Sequence, residues 1–335
     1  MTGTVNRQAV VTAPGVVELR RAAALTPARG EAVVRMRMVG ICGSDVHAVH
    51  GRHPFVSLPY SPGHEIVGVV ESDGRRVVVE PIMSCGHCKY CLDGRYNLCA
   101  TMAFFGCTTA FGGLADRFAV PADRLVPVPD ELSDLHAVLI EPLSTPVHAV
   151  RLAGPDLTGR TVAVLGAGTI GLLTLAAARH AGASRIAVSD LSPDKRELAL
   201  ELGADSVHDA AAPGLVRDIR DDLGTSADVV FDCVAVQSTV DQAIAIAVKG
   251  GTVMIVGVPA APVTVPLPQI QDLQVRLQGS ATYTREDIDQ AIALLAAGAV
   301  DPARIVTARY PLDEIDEAFA AASSGRHVKV VVTAG

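Results

Sequence analysis

One stretch constrains the fold more than any other. In "RTVAVLGAGTIGLLTLAAARHAG", from Arg160, an apolar run leads straight into Gly166-x-Gly168-x-x-Gly171 and then into an Ala/Leu-rich helical pattern. Glycines at this spacing, between a strand and a helix, permit a tight turn, close approach of a pyrophosphate and tight helix–strand packing, with the helix N-terminus facing the phosphates. Asp190 closes the next apolar run, "RIAVSD", where a carboxylate binds a ribose 2′-hydroxyl and repels a 2′-phosphate. NAD is therefore expected over NADP, although Lys195 and Arg196 follow closely and can soften that preference. The stretch from Thr161 is apolar enough to be scored as a membrane span, but its glycines argue for a strand-to-helix turn instead.

The surrounding texture agrees. From Arg160 to about Gly257, Val/Ile/Ala-rich runs alternate with helical ones, which predicts a doubly wound parallel sheet covered on both faces. From Gln8 to about Val128, short β-rich runs broken by Gly, Pro and Asp predict an all-β region of hairpins, with a tight turn at Asp73-Gly74. Amphipathic helices around "REDIDQAIALLAAG" and "DEIDEAFAAASSG" and a closing strand in "HVKVVVTAG" complete an α/β chain of two domains.

With 335 residues, 49% hydrophobic and only 19% charged, the chain can bury a large core. A net charge of −8 and the lack of any long Lys/Arg run exclude nucleic acid as a partner. The first residues lack the pattern of a secretory leader, so a cytoplasmic protein with no membrane partner is expected. In that reducing compartment, seven cysteines, an odd number, do not suit a disulfide scaffold.

Four of the seven are concentrated. Cys85, Cys88, Cys91 and Cys99 have the spacing C-x2-C-x2-C-x7-C, which suits a closed tetrathiolate shell around a structural zinc. A redox pair needs two cysteines at a helix start, and here four compete in one loop. An iron–sulfur cluster is the sharper rival, but ferredoxin-like runs place Pro after the fourth cysteine, and Ala100 follows Cys99. A second set of donors is dispersed: Cys42, Ser44, Asp45 and His47 in "GICGSDVH", His64 and Glu65 in "PGHE", and Glu141 and His148 in "LIEPLSTPVHA". Mixed Cys, His and carboxylate donors from distant segments are what an open catalytic zinc needs. Taken singly, each is most often a buried or surface residue without a metal. Cys107 and Cys233 belong to neither set and read as buried structural thiols.

Taken in order, "GICGSDVH", "PGHE", the four-cysteine loop, "EPLS", the glycine triplet and "GGTVMIVGVP" resemble the zinc-dependent medium-chain dehydrogenase/reductase family over nearly the whole chain. Glu141 and "GSDVH" are most similar to its polyol (sorbitol-type) and threonine dehydrogenase branch. The resemblance implies a GroES-like β-barrel catalytic domain over 1–147 and 279–335, and a Rossmann NAD-binding domain over 148–278. It implies two zinc ions per chain. Cys42 and His64 would bind the catalytic one, with Glu65 as ligand or close neighbour of the ligands, and Glu141 as fourth ligand or partner of a water on the metal. Asp45 would orient His64, and Ser44 and His47 would relay a proton. Thr145 and Ile170 would flank the nicotinamide, the backbone from Val256 through Gly257 to Val258 would approach its carboxamide, and Lys329 would reach the pyrophosphate. A homodimer or homotetramer is implied as well. Two departures from the family stand out: the segment before the cysteine loop is shortened to "VVESDGRRVVVEP", and Val234-Ala235-Val236 stands where a Gly commonly follows the strand.

The leading expectation is an NAD-dependent zinc dehydrogenase that converts a neutral secondary alcohol, such as a polyol, cyclitol or sugar derivative, to its ketone. The alternatives are a threonine-type amino-alcohol dehydrogenase, a non-catalytic dinucleotide-binding or redox-sensing protein, and a zinc-free reductase of the same fold. His53, Phe55, Phe104, Phe105, Phe111 and Tyr283 are the candidates for lining a substrate pocket.

Overall fold

The computed structural model describes residues 6–22 and 25–334, so the start of the segment read for a leader lies outside the described residues. Two compact units divide the chain, Met1–Pro142 with Asp301–Gly335, and Leu143–Val300. The sequence reading divided it at 147/148 and 278/279 instead. The difference at the second boundary has a visible cause. The helix Arg285–Ala296 carries Asp287, which is fully buried and accepts hydrogen bonds from Nδ1 of His148 at 2.9 Å and Nε of Arg151 at 2.8 Å, so it is anchored within the second unit.

The first unit is built on a seven-stranded sheet. Its order is Val306–Pro311, Lys329–Thr333, Glu31–Ile41, Glu65–Val70, Arg76–Val79 and Leu125–Pro127, with Arg117–Pro121 also paired to Glu31–Ile41. The long central strand meets Lys329–Thr333 through its C-terminal half and Arg117–Pro121 through its N-terminal half. Val34, Met36, Val39, Phe118, Val330 and Val332 from these strands bury one core with Ile315 and Phe319 of the helix Ile315–Ser323. The Asp73-Gly74 hairpin joins Glu65–Val70 to Arg76–Val79, with Val67 opposite Val78. Only Gly74 takes a positive φ, of 73°, while Oδ1 of Asp73 accepts the N–H of Arg75, so the connection is longer than a two-residue turn.

The second unit is a six-stranded parallel sheet in the order Ser206–Asp209, Arg185–Asp190, Thr161–Leu165, Ala227–Asp232, Ala247–Ile255 and Arg276–Gly279. This is the 3-2-1-4-5-6 order of a doubly wound dinucleotide fold, with the glycine turn at the carboxyl end of the first strand. Thr161–Leu165 is buried throughout because helices cover both faces. Among the described residues no helix is long and apolar enough to cross a membrane, and the stretch once scored as a span is this strand followed by the helix Thr169–His180.

Candidate active site and metal centres

The four cysteines of the dense loop converge, their sulfurs lying within 4.8 Å of one another and none disulfide-bonded. Positive-φ glycines at Gly86 and Gly94 bend the loop around the short helix Lys89–Leu92. Backbone N–H groups point at the sulfurs: Cys88 donates to Sγ of Cys85 at 3.4 Å and Cys85 to Sγ of Cys99 at 3.3 Å. N–H groups of His87 and Cys88 hold the Cys85 thiol down to about 6, while burial and its neighbouring sulfurs push Cys91 up to about 11. A shell of sulfurs with donors on its outside fits a closed tetrahedral zinc.

A second donor set forms in the first unit, where Cys42, His64 and Glu65 bring their ligand atoms within 4.8 Å of one another. Cys42 precedes the helix Gly43–Val49, a helix within the region read as all-β, and its N–H donates to Oδ2 of Asp45 at 3.2 Å. Ser44 and His47 lie three apart on that helix and so on one face. Partial burial, helped by the positive charges of Arg52 and His50, lowers the pKa of His47. His64 starts where Gly63 turns with φ 105°, and Phe104 meets its ring edge-on at 5.5 Å. Glu65 is fully buried, and a Cβ on Gly40 of the neighbouring strand would stand 1.8 Å from its Oε2, so only glycine leaves room for the carboxylate. Glu141, buried at the start of the helix Ile140–Ala153, stands outside the 4.8 Å set.

In the second unit each glycine of the triplet has its own steric reason. Gly166 has φ 94° and a Cβ there would meet Cγ2 of Val234 at 2.6 Å; a Cβ on Gly171 would meet the carbonyl oxygen of Gly166 at 1.7 Å. Gly168 faces open space at the N-cap of Thr169–His180, where a pyrophosphate can approach the backbone. The carboxylate of Asp190 accepts the N–H of Ala167 at 2.7 Å and that of Ser192 at 2.8 Å, which ties Asp190 to the glycine turn. These residues fit a nicotinamide dinucleotide.

Comparison with known proteins agrees with this geometry. The alcohol dehydrogenase GroES-like domain family matches residues 28–130, and the zinc-binding dehydrogenase family matches 169–297. An L-idonate 5-dehydrogenase of Vitis vinifera is 34% identical over 320 residues, covering 89% of this chain and 86% of its own. A sorbitol dehydrogenase of Bos taurus is 33% identical over 342 residues, covering 98% of this chain and 96% of its own. This chain belongs to the zinc-dependent medium-chain dehydrogenase family, in its polyol branch. Among solved structures, the L-idonate 5-dehydrogenase of Escherichia coli superposes with a TM-score of 0.90 at 28% identity, covering 98% of each chain. A protein of Sinorhizobium meliloti 1021 described as a zinc-binding dehydrogenase and bound to NADP gives 0.91 at 33% identity, covering 98% of this chain and 99% of its own.

Zinc and a nicotinamide dinucleotide are the cofactors of this dehydrogenase. Several expectations about its residues change. Lys329 does not lie open to a pyrophosphate: it is buried, with Nζ donating to Glu65 Oε1 at 2.6 Å, to Oε2 at 2.8 Å and to the carbonyl of Ile41 at 3.2 Å. Burial alone would discharge it, but Glu65 foremost, then Cys42 and Glu141, outweigh that and raise its pKa. His148, a candidate donor in the sequence, belongs to the Asp287 and Arg151 cluster of the second unit. Phe105 and Tyr283 are core, at 4% and 1% exposure, whereas Phe55 is 77% exposed and Phe104 touches His64. Asp45 is buried 3.8 Å from Nδ1 of His64, beyond hydrogen-bond length. Cys107, read as a bystander, has Sγ 3.5 Å from that same nitrogen. Only its placement three residues after Phe104 hinted at this, and nothing in the spacing ties residue 107 to residue 64. Burial pushes the Cys233 thiol up to about 12, in keeping with an unreactive role.

Thr145, Ile170 and Lys195 are half-buried, Val256 is buried, and Val258 is 49% exposed. Gly257 follows Val256, both donating N–H to the carbonyl of Asp232.

Proposed function

We propose that this dehydrogenase oxidises a neutral, polyol-type secondary alcohol to its ketone with NAD+, releasing NADH and a proton, and runs the reverse with ketone, NADH and a proton. What carries the reading is the donor set of Cys42, His64 and Glu65 within 4.8 Å, in a chain that also holds an open glycine cradle at Gly168. When bound, zinc supplies a Lewis acid that lowers the alcohol pKa, and the nicotinamide accepts hydride.

The chain's own residues do the rest. Cys42 and His64 hold the metal, with a carboxylate from Glu65 or Glu141. Ser44 takes the hydroxyl proton and His47, on the same helix face, passes it to solvent; a lowered pKa keeps His47 a neutral acceptor at pH 7. Gly166, Gly168 and Gly171 bind the pyrophosphate, Asp190 the adenosine ribose with Lys195 beside it, and Thr145, Ile170 and Val256 to Val258 the nicotinamide. Cys85, Cys88, Cys91 and Cys99 hold a second, structural zinc. The named relatives act on polyols and sugar acids, which favours that class over threonine-like amino alcohols, and nothing in them supports a non-catalytic role. We propose further that it works in the cytoplasm as a homodimer or homotetramer.

The test is a panel of polyols, cyclitols, threonine and simple secondary alcohols with NAD+ and NADP+, followed by absorbance of the reduced cofactor. Turnover of a polyol, lost in Ser44→Ala, is expected. Turnover of threonine alone, or undiminished turnover in Ser44→Ala, would overturn the substrate class or the relay respectively.

A further inference from the structure

His64 has two ring nitrogens, and the metal needs one of them while something must hold the other. Nδ1 faces Sγ of Cys107 at 3.5 Å and Oδ2 of Asp45 at 3.8 Å. The oxygen contact is too long for a hydrogen bond, while sulfur, being larger, is within hydrogen-bond reach at the shorter of the two distances. Asp45 is moreover engaged elsewhere, accepting the N–H of Cys42 at 3.2 Å and the hydroxyl of Tyr60 at 3.2 Å. Cys107 is held in place by backbone packing. Gly106, with φ 75°, presses so close to Gly63 that a Cβ would stand 2.1 Å from its carbonyl oxygen. Gly113 donates to that same carbonyl at 2.8 Å, and Cys107 itself donates to the carbonyl of Phe104 at 3.0 Å. The segment that carries His64 and the turn that carries Cys107 are thereby locked together at their backbones.

We propose that Cys107 is a positioning residue for His64: its sulfur accepts the Nδ1–H, fixing the tautomer and ring orientation that leave Nε2 for zinc, with Asp45 supplying charge but not the hydrogen bond. Partners of this kind on a metal-bound histidine typically govern metal affinity by 10–100-fold. The proposal rests on the reading of Cys42 and His64 as catalytic-zinc ligands.

Zinc content and chelator competition on the full-length protein test it. The wild type should hold two zincs, and Cys107→Ala should weaken the more exchangeable one by about 10–100-fold while the tetrathiolate zinc stays put. Cys107→Ser, whose hydroxyl can accept the same N–H, should recover most of that loss, and retention of the tetrathiolate zinc in both variants reports that they fold. Binding within about twofold of wild type in Cys107→Ala, or no recovery in Cys107→Ser, overturns the proposal. Cys42→Ser separates the two readings. If it loses one zinc while Cys107→Ala does not, only the positioning role fails; if it keeps both, the ligand assignment and this proposal fail together.

Discussion

The ammonium of Lys329 lies 2.6 and 2.8 Å from the two carboxylate oxygens of Glu65, with both side chains almost wholly shielded from water. Such a pair contributes little net stability while intact, but losing one partner strands a charge in the interior. Lys329→Met is expected to cost about 3–5 kcal/mol in urea denaturation. Combining it with Glu65→Gln should recover part of that loss, because the stranded charge is gone. A Lys329→Met protein as stable as wild type would mean that the pair does not form.

The two cysteine groups should fail differently. Cys91→Ser opens the tetrathiolate shell, so loss of zinc should be accompanied by a lower thermal midpoint or poor assembly. Cys42→Ser should abolish turnover in a chain whose thermal midpoint moves little. Calorimetry together with zinc analysis of the two variants decides, and equal destabilisation by both would refute the division of labour.

In the proposed relay, His47 is expected to set an acid limb. Its folded pKa is lowered, first by burial and then by Arg52 and His50, so it stays a neutral proton acceptor at pH 7 and is disabled only as pH falls below about 6.5. Arg52→Gln removes one of the repelling charges and should shift the acid limb of kcat/KM for alcohol oxidation to higher pH. An unmoved limb would place the titrating group elsewhere.

Asp287 ties the stability of the second unit to pH in the same sense, with loss on acidification. His148 and Arg151 hold its carboxyl far below the ordinary range in spite of burial. Its contribution is complete above the unfolded value of about 3.9 and is lost as pH falls toward the folded one. Asp287→Asn should lower the denaturation midpoint at pH 7 and flatten its acid dependence, read from melts between pH 7 and 3.

Ala235 takes φ 58° just after the strand Ala227–Asp232, held by its N–H on Oδ1 of Asp232 at 2.8 Å. A left-handed alanine costs roughly 1–2 kcal/mol, partly offset by the backbone entropy a glycine loses. Ala235→Gly is expected to raise the thermal midpoint, with a gain of up to about 1 kcal/mol.

The strongly patterned elements were legible in the sequence: the buried strands of the parallel sheet, the glycine turn, the four-cysteine loop and the closing strand Lys329–Thr333. The edge strands Ser206–Asp209 and Arg276–Gly279 were not, because an edge half exposed to water carries no apolar run to read. Leu215, Ile219 and Leu223, spaced four apart, mark the buried face of the helix Leu215–Leu223. At the site, the residue types showed only a dispersed set of donors, and it was the resemblance to the family that grouped Cys42, His64 and Glu65. Motif spacing could not reveal that Lys329 turns inward or that Cys107 reaches His64, since both contacts join segments far apart in the chain through backbone packing at Gly40 and at Gly63 with Gly106.

The contact of Gly63 with Gly106 also marks where this enzyme cannot be remodelled. Since no side chain fits between the two backbones, a library aimed at new substrates gains nothing by randomising either position, and changes there would misalign the metal site before they altered recognition. Phe55, exposed and free of such packing, is a position where diversity can be introduced while the metal chemistry is inherited unchanged.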